Sequence, residues 1–255
     1  MKNLWNIKHS NQQITSNDPH EIYVLLKKYL SSVCDKEICW LNQNLHFGKI
    51  NDKIKNSFAP ISPANWKNNP NEWLSNYDIM NVMRQFEQAY PCFSFIGPTS
   101  IDFDKKIFKG KCVWDELCHF DLSQYIKNKK NKIGIIFNTD PHTKDGEHWI
   151  SMFIDLKKKD IVFFDSAANQ TPSEIGVLLR RIVKHGNRLN PKIKFRVTRI
   201  TNVKHQLKNT ECGVYSLFFI INLLENNIDA DYLKNNILRD EYIEQFRNIY
   251  FNKHQ

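Results

Sequence analysis

The sequence predicts an α+β fold: a mixed central sheet with a buried helix packed on it. Three observations carry this reading. Residues 133–137, 149–154 and 161–164 are short runs that are apolar on both faces, as strands are when a sheet is covered on both sides. Helical periodicity precedes and follows these runs. Residues 212–224 then read as a helix that is apolar on most sides, and such a helix belongs inside a domain.

A chain of 255 residues suits one large domain or a core with a smaller appendage. Hydrophobic residues at 41% and aromatics at 13% exclude a disordered chain. The formal net charge of +9 favours acidic partners without identifying one.

Taken in order, Asn17-Asp18-Pro19 has the chemistry of a helix start, with Pro just inside. Ile22, Leu25, Leu26, Tyr29, Leu30 and Val33 make one face of a helix over 19–33. A short segment follows over 39–47. Residues 48–70 are polar, with Pro60, Pro63 and Pro70, and read as a linker. The boundary falls near 62, giving a helical N-terminal arm (1–62) and a core (63–255). Ser75 with Asp78 marks a capped helix start. Ile79, Val82, Met83 and Phe86 form its buried face. A short strand is expected over 92–96. Residues 97–120 carry no readable pattern, and 127–132 form a basic turn.

After the three apolar strands, Thr171-Pro172-Ser173-Glu174 suggests a capping box opening a helix over 172–186. Residues 193–200 alternate like another strand. Helices over 232–238 and 242–250 close the chain.

Cys212 stands at the first turn of the apolar helix. Free N–H groups at a helix start carry partial positive charge, which favours a thiolate, the nucleophilic form of cysteine. Gly213 beside it leaves room for a substrate backbone to approach. A buried cysteine is more commonly only a core residue, so the rest of the chain has to decide. If the turn between the last two apolar strands centres on 156–158, His148 and Asp165 lie opposite each other at one end of the hairpin. An imidazole held by a carboxylate is what a cysteine protease needs. His142, His185 and His205 compete for the base, with His205 the strongest rival. Asp140, Asp145 and Asp155 compete for its partner. Gln206, six residues before Cys212, could turn back and form an oxyanion hole with the Cys212 N–H.

Four separated motifs stand in order: His148-Trp149, Asp165-Ser166, Gln206 and Glu211-Cys212-Gly213. Together they resemble the Ulp1-type cysteine proteases, a group that includes SUMO-specific and adenovirus-type proteases. Trp73-Leu74-Ser75-Asn76 is similar to the family's Trp-Leu-Asn-Asp opening. Phe137-Asn138-Thr139-Asp140 and Phe164-Asp165-Ser166-Ala167 strengthen a likeness to the polyprotein-processing proteases of African swine fever virus and related large DNA viruses. Glu211 departs from the Asp usual in SUMO proteases.

The resemblance implies a papain-like core, with Cys212 as nucleophile, His148 as base, Asp165 orienting it and Gln206 in the oxyanion hole. It also implies cleavage after Gly-Gly, with Trp149 walling a channel that admits only glycine. A viral polyprotein is the implied substrate, and the host cytoplasm and the virion are the implied locations. A deconjugase of ubiquitin-like proteins is the same-chemistry alternative. A non-catalytic, basic nucleic-acid-binding protein is the alternative of a different class, drawing on Lys127–Lys132 and on Arg180, Arg181, Lys184, Arg188, Lys192, Lys194 and Arg196.

The N-terminal sequence lacks the apolar run of a secretory signal, and no stretch is long and apolar enough for a membrane span. An intracellular protein without membrane insertion is expected, with its six cysteines reduced. Cys34, Cys39 and His46, and likewise Cys112, Cys118 and His119, lack good zinc spacing, so neither metal nor cofactor is expected.

Overall fold

The computed structural model describes residues 1–42 and 57–253 and has the expected α+β architecture. The chain divides into two compact units, Met1–Ala59 and Pro60–Gln255.

In the first unit the helix Pro19–Leu30 begins where the sequence places it. The Asp18 carboxylate accepts the Glu21 N–H at 2.9 Å and caps it. It stops at Leu30, short of Val33, and turns there. A helix over Lys2–Lys8 was not legible in the sequence, because seven residues are too few to establish a period. Trp5, Ile14, Leu26, Leu30 and Trp40 form a small core. Helix Cys39–Asn42 covers the start of the expected 39–47 segment; the rest of it, His46 included, lies outside the described residues.

The sheet of the second unit runs in chain order: β1 (Phe93–Ser100), β2 (Lys132–Asn138), β3 (Trp149–Asp155), β4 (Asp160–Phe164) and β5 (Arg196–Ile200). The outer pairs are parallel and the two inner pairs antiparallel. Both faces of β2, β3 and β4 are buried because each face meets a helix. Ile136, Phe153, Val162 and Phe164 pack with the helix Cys212–Glu225. Ile135, Phe137, Met152, Ile154, Ile161 and Phe163 pack with Ile175, Leu178, Leu179 and Ile182 of the helix Ser173–Arg188. The Cys212 helix lies so close to the sheet that a Cβ on Gly134 would stand 2.8 Å from the Ile220 Cγ2.

The Ser75–Asp78 capping box forms, with the Asp78 carboxylate accepting the Ser75 N–H at 2.8 Å, and it opens the helix Asn76–Ala89. The expected box at Thr171 does not form. Pro172 is the residue before the helix, and the Ser173 hydroxyl donates to Glu174 instead. β1 is longer than expected, with an irregularity between Ile96 and Thr99 that obscures its alternation. Short helices over Asp115–Cys118 and Leu122–Lys127 occupy stretches where the sequence showed no helical period.

Residues 60–70 are not a free linker. Ile61 bridges to Asn252, and Trp66 meets Phe251 edge-on at 5.0 Å. The two expected closing helices are three short ones: Ala230–Asn235, Asp240–Glu244 and Arg247–Tyr250.

Cys34 and Cys39 are joined in a disulfide, as are Cys112 and Cys118, where six reduced thiols were expected. Each pair spans a tight turn, with Cα atoms 5.5 and 6.3 Å apart. Cys92 and Cys212 are the unpaired cysteines. Among the described residues, no helix is long and apolar enough to cross a membrane.

Candidate active site

His148 stands immediately before β3, and Asp165 immediately after β4. The strands pair Ser151 with Phe164, so continuing the ladder would set Ala167, not Asp165, opposite His148. The turn centres one residue later than a His148–Asp165 pairing requires, which shifts the partner of His148 by two. Because side chains alternate with a period of two, Asp165 stays on the same face as His148, as its diagonal neighbour. The side chains close the gap, with His148 Nε2 2.7 Å from Asp165 Oδ1. The Ala167 N–H donates to the same carboxylate oxygen at 2.9 Å and helps fix it.

With Nε2 taken by Asp165, Nδ1 is the ring nitrogen left for a second partner. Cys212 is the other group that, with Asp165, favours the protonated ring. Burial disfavours the imidazolium, but the hydrogen bond to Asp165, its charge and the neighbouring Cys212 outweigh it and raise the His148 pKa to about 9. Near neutrality the ring therefore holds its proton beside the thiol.

Cys212 is the first residue of its helix and is almost wholly buried, anchored by the apolar residues that follow. Gln206 is buried in the preceding loop. Its Oε1 accepts from the Ser166 hydroxyl and its Nε2 donates to the Lys208 carbonyl, both at 2.7 Å. A carbonyl only accepts, so the Lys208 contact settles which end of the amide carries the N–H groups. One of the two amide hydrogens remains for another acceptor.

The three rival histidines and Asp155 are bound elsewhere. His142 pairs with Asp102 at 2.7 Å, and His185 with Asp121 at 3.2 Å. His205 is buried against Phe164, its Nδ1 accepts the Leu238 N–H, and burial lowers its pKa to about 4. Asp155 closes the β3–β4 turn by accepting the Lys157 and Lys158 N–H groups.

Trp73, Glu147, His148, Asp165, Gln206 and Asn209 line one open cleft of about 590 Å³. Trp149 is buried, with its indole N–H on the Leu74 carbonyl at 3.0 Å. The tryptophan a ligand would meet is Trp73, 38% exposed on the cleft. It was legible only as part of the Trp-Leu-Ser-Asn motif. Gly213 is buried too. A Cβ there would stand 3.0 Å from the Leu74 Cβ, so the neighbour that needs its bare Cα is a side chain.

Cys112, Cys118 and His119 form the cluster with metal-ligating atoms among the described residues, but the two sulfurs are bonded to each other and offer no thiolate.

Residues 50–255 match the family model for the Ulp1 protease family, C-terminal catalytic domain. The chain belongs to the Ulp1 protease family. It is a cysteine protease, as its relatives are named. A protein of Acanthamoeba polyphaga mimivirus named as a thiol protease is 27% identical over 240 residues, covering 89% of this chain and 74% of the relative. The SUMO-1 cysteine protease of African swine fever virus (isolate Warthog/Namibia/Wart80/1980) is 26% identical over 247 residues, covering 91% and 88%. The crystal structure of the African swine fever virus protease superposes with a TM-score of 0.69 at 23% identity, covering 94% of each chain, and so shares the Ulp1-family fold.

Proposed function

We propose that this Ulp1-family protease is a viral endopeptidase that cleaves after Gly-Gly, with Cys212 as nucleophile. The observation that carries the proposal is the His148–Asp165 pair, closed at 2.7 Å, with Cys212, the first residue of a buried helix, also favouring the protonated imidazole. Asp165 orients His148 and favours its protonated form, which stabilises the thiolate beside it. The Cys212 Sγ attacks the carbonyl carbon of the second glycine. Its oxygen, now negative, is held by the remaining Gln206 amide hydrogen and the Cys212 N–H. His148 gives its proton to the leaving amine as the C–N bond breaks, leaving a thioester. It then takes a proton from water, whose oxygen attacks the thioester; the C–S bond breaks, the peptide acid leaves, and the imidazolium–thiolate pair is restored.

Glycine specificity is part of the same proposal. On this reading the substrate chain passes Trp73, which lines the cleft beside His148, whereas Trp149 and Gly213 are buried behind it. The viral relatives support a viral protease; a polyprotein substrate, with the host cytoplasm and the virion as its places of action, belongs to the same proposal. The name of the African swine fever virus relative, a SUMO-1 cysteine protease, favours a second reading with the same chemistry: release of a ubiquitin-like protein at its terminal Gly-Gly.

The test is cleavage of a Gly-Gly-X peptide panel beside SUMO and ubiquitin conjugates, by the native protein and by Cys212→Ala, with products mapped by mass spectrometry. Cleavage of short peptides that is lost in Cys212→Ala supports the endopeptidase. Processing of folded modifiers alone would turn the reading to a deconjugase. Activity retained in Cys212→Ala would end it.

A further inference from the structure

The loop over 206–211 carries the oxyanion donor at one end and leads into the nucleophile at the other, yet it has no regular secondary structure of its own. Two buried charged side chains from the short helices after the Cys212 helix hold it. Asp240 Oδ2 accepts the Leu207 N–H at 3.0 Å and the Lys208 N–H at 2.9 Å. Its Oδ1 accepts the Tyr215 hydroxyl, in the first turn of the Cys212 helix, at 3.0 Å. The Lys208 carbonyl is in turn the acceptor for the Gln206 amide. One carboxylate thus joins Lys208, whose carbonyl aims Gln206, to the helix that carries Cys212.

At the other end of the loop, Glu211 is wholly buried and Arg247 is 5% exposed. Arg247 Nε donates to Glu211 Oε2 at 2.8 Å, and Nη2 to Glu211 Oε1 at 2.9 Å, the two-pronged geometry that fixes orientation as well as distance. The same guanidinium donates to the Glu72 carbonyl at 2.9 Å and lies over the Trp66 ring at 4.6 Å. It therefore ties the residue before Cys212 to the chain leading into Trp73. Replacing a buried ion pair with apolar side chains is often neutral or favourable for stability, so stability alone does not call for one here. Fixed geometry does.

We propose that Asp240 and Arg247 are positioning residues of the active site, clamping the 206–211 loop so that Gln206 and Cys212 keep their places relative to His148. The inference rests on the catalytic reading of Cys212 and Gln206.

The experiment measures kcat and KM on a Gly-Gly-X peptide for the full chain and for Asp240→Asn, Asp240→Ala, Arg247→Lys and Cys212→Ala. Circular dichroism establishes folding, and the rate of Cys212 alkylation by iodoacetamide is followed in parallel. Asp240→Asn can still accept both loop N–H groups and can donate to the Tyr215 oxygen, so its kcat should stay within about threefold of the native value. Asp240→Ala and Arg247→Lys should lower kcat by about tenfold or more, with KM within about twofold, because displaced groups lose the transition state before they lose substrate. Alkylation should slow or quicken in Arg247→Lys, because the thiol no longer sits where the imidazole holds it.

Native kcat in folded Asp240→Ala and Arg247→Lys would overturn the clamp while a dead Cys212→Ala left the catalytic reading standing. Should Asp240→Ala fail to fold, Arg247→Lys decides alone, and unchanged kcat and alkylation there overturn the clamp. An active Cys212→Ala would remove the reading on which the clamp rests.

Discussion

His148 Nε2 and Asp165 Oδ1 lie 2.7 Å apart although the hairpin pairs neither residue with the other. The contact is diagonal, made where both strands have ended. Replacing the carboxylate by an amide keeps the shape and removes the charge that raises the His148 pKa to about 9. The native alkaline limb of kcat/KM should therefore fall near pH 9, where the imidazolium is lost. In Asp165→Asn that limb should move to lower pH, with kcat down by about a hundredfold. A pH–rate profile of both proteins checks it, and an unmoved limb would exclude Asp165 as the orienting group. The linkage runs the same way. A His pKa raised above its ordinary 6.5 contributes stability that is complete below pH 6.5 and lost as pH rises through about 9.

Ser166 and the Lys208 carbonyl together hold the Gln206 amide. Ser166→Ala removes the hydroxyl that donates to Gln206 Oε1 and leaves a buried acceptor unpaired, at a cost of about 1–3 kcal/mol. The Ser166 carbonyl, which accepts the His205 and Gln206 N–H groups, is untouched by the substitution. Urea unfolding should register the loss, and kcat should fall more than KM rises as Gln206 turns away.

Gly213→Ala forces a methyl against Leu74, whose Cβ and Cγ would stand 3.0 and 3.2 Å away. Such overpacking costs about 1–3 kcal/mol. The same shift displaces Cys212, so the melting temperature and kcat should drop together. A variant as stable and active as the native protein would show that Leu74 moves aside freely.

His205 makes the fold acid-sensitive. Burial lowers its pKa to about 4, while the unfolded chain takes up that proton near 6.5. Between those values the unfolded state binds more protons, so stability falls as pH falls from about 6.5 to about 4, by on the order of 3 kcal/mol from this group. His205→Asn offers Oδ1 to the Leu238 N–H in place of Nδ1 and does not titrate. Urea melts at pH 7 and pH 4.5 should show a smaller acid loss in that variant than in the native protein.

The two-sided apolar strands, the Ser75–Asp78 cap and the helix after Cys212 were legible because each depends on residues close in sequence. Periodicity reports burial, and burial is what the sheet and the two helices packed on it impose. The Thr171–Glu174 signal misled because the same residue types satisfy one another in another way, through the Ser173 hydroxyl on Glu174. The disulfides were missed because their formation depends on turns that bring Cα atoms to 5.5 and 6.3 Å, which spacing alone does not reveal. Some basic residues of the nucleic-acid alternative are committed to partners within the chain. Arg181 pairs with Asp104, Arg196 with Asp160, and Lys132 Nζ donates to the Leu224 carbonyl.

By itself the sequence determined the α+β class, the order of the motifs and the short list of groups from which His148, Asp165, Gln206 and Cys212 were drawn. Only the tertiary structure showed which members of that list stand together. It buried His205 and bound it to Leu238, gave His142 to Asp102, and brought Asp165 to His148 across a register the sequence reading had set differently. It also reached 36 residues past Glu211 to supply Arg247, a partner no local pattern could announce. The reason is physical. Local periods encode which side of an element is apolar, whereas hydrogen bonds between side chains form wherever folding brings donor and acceptor within about 3 Å.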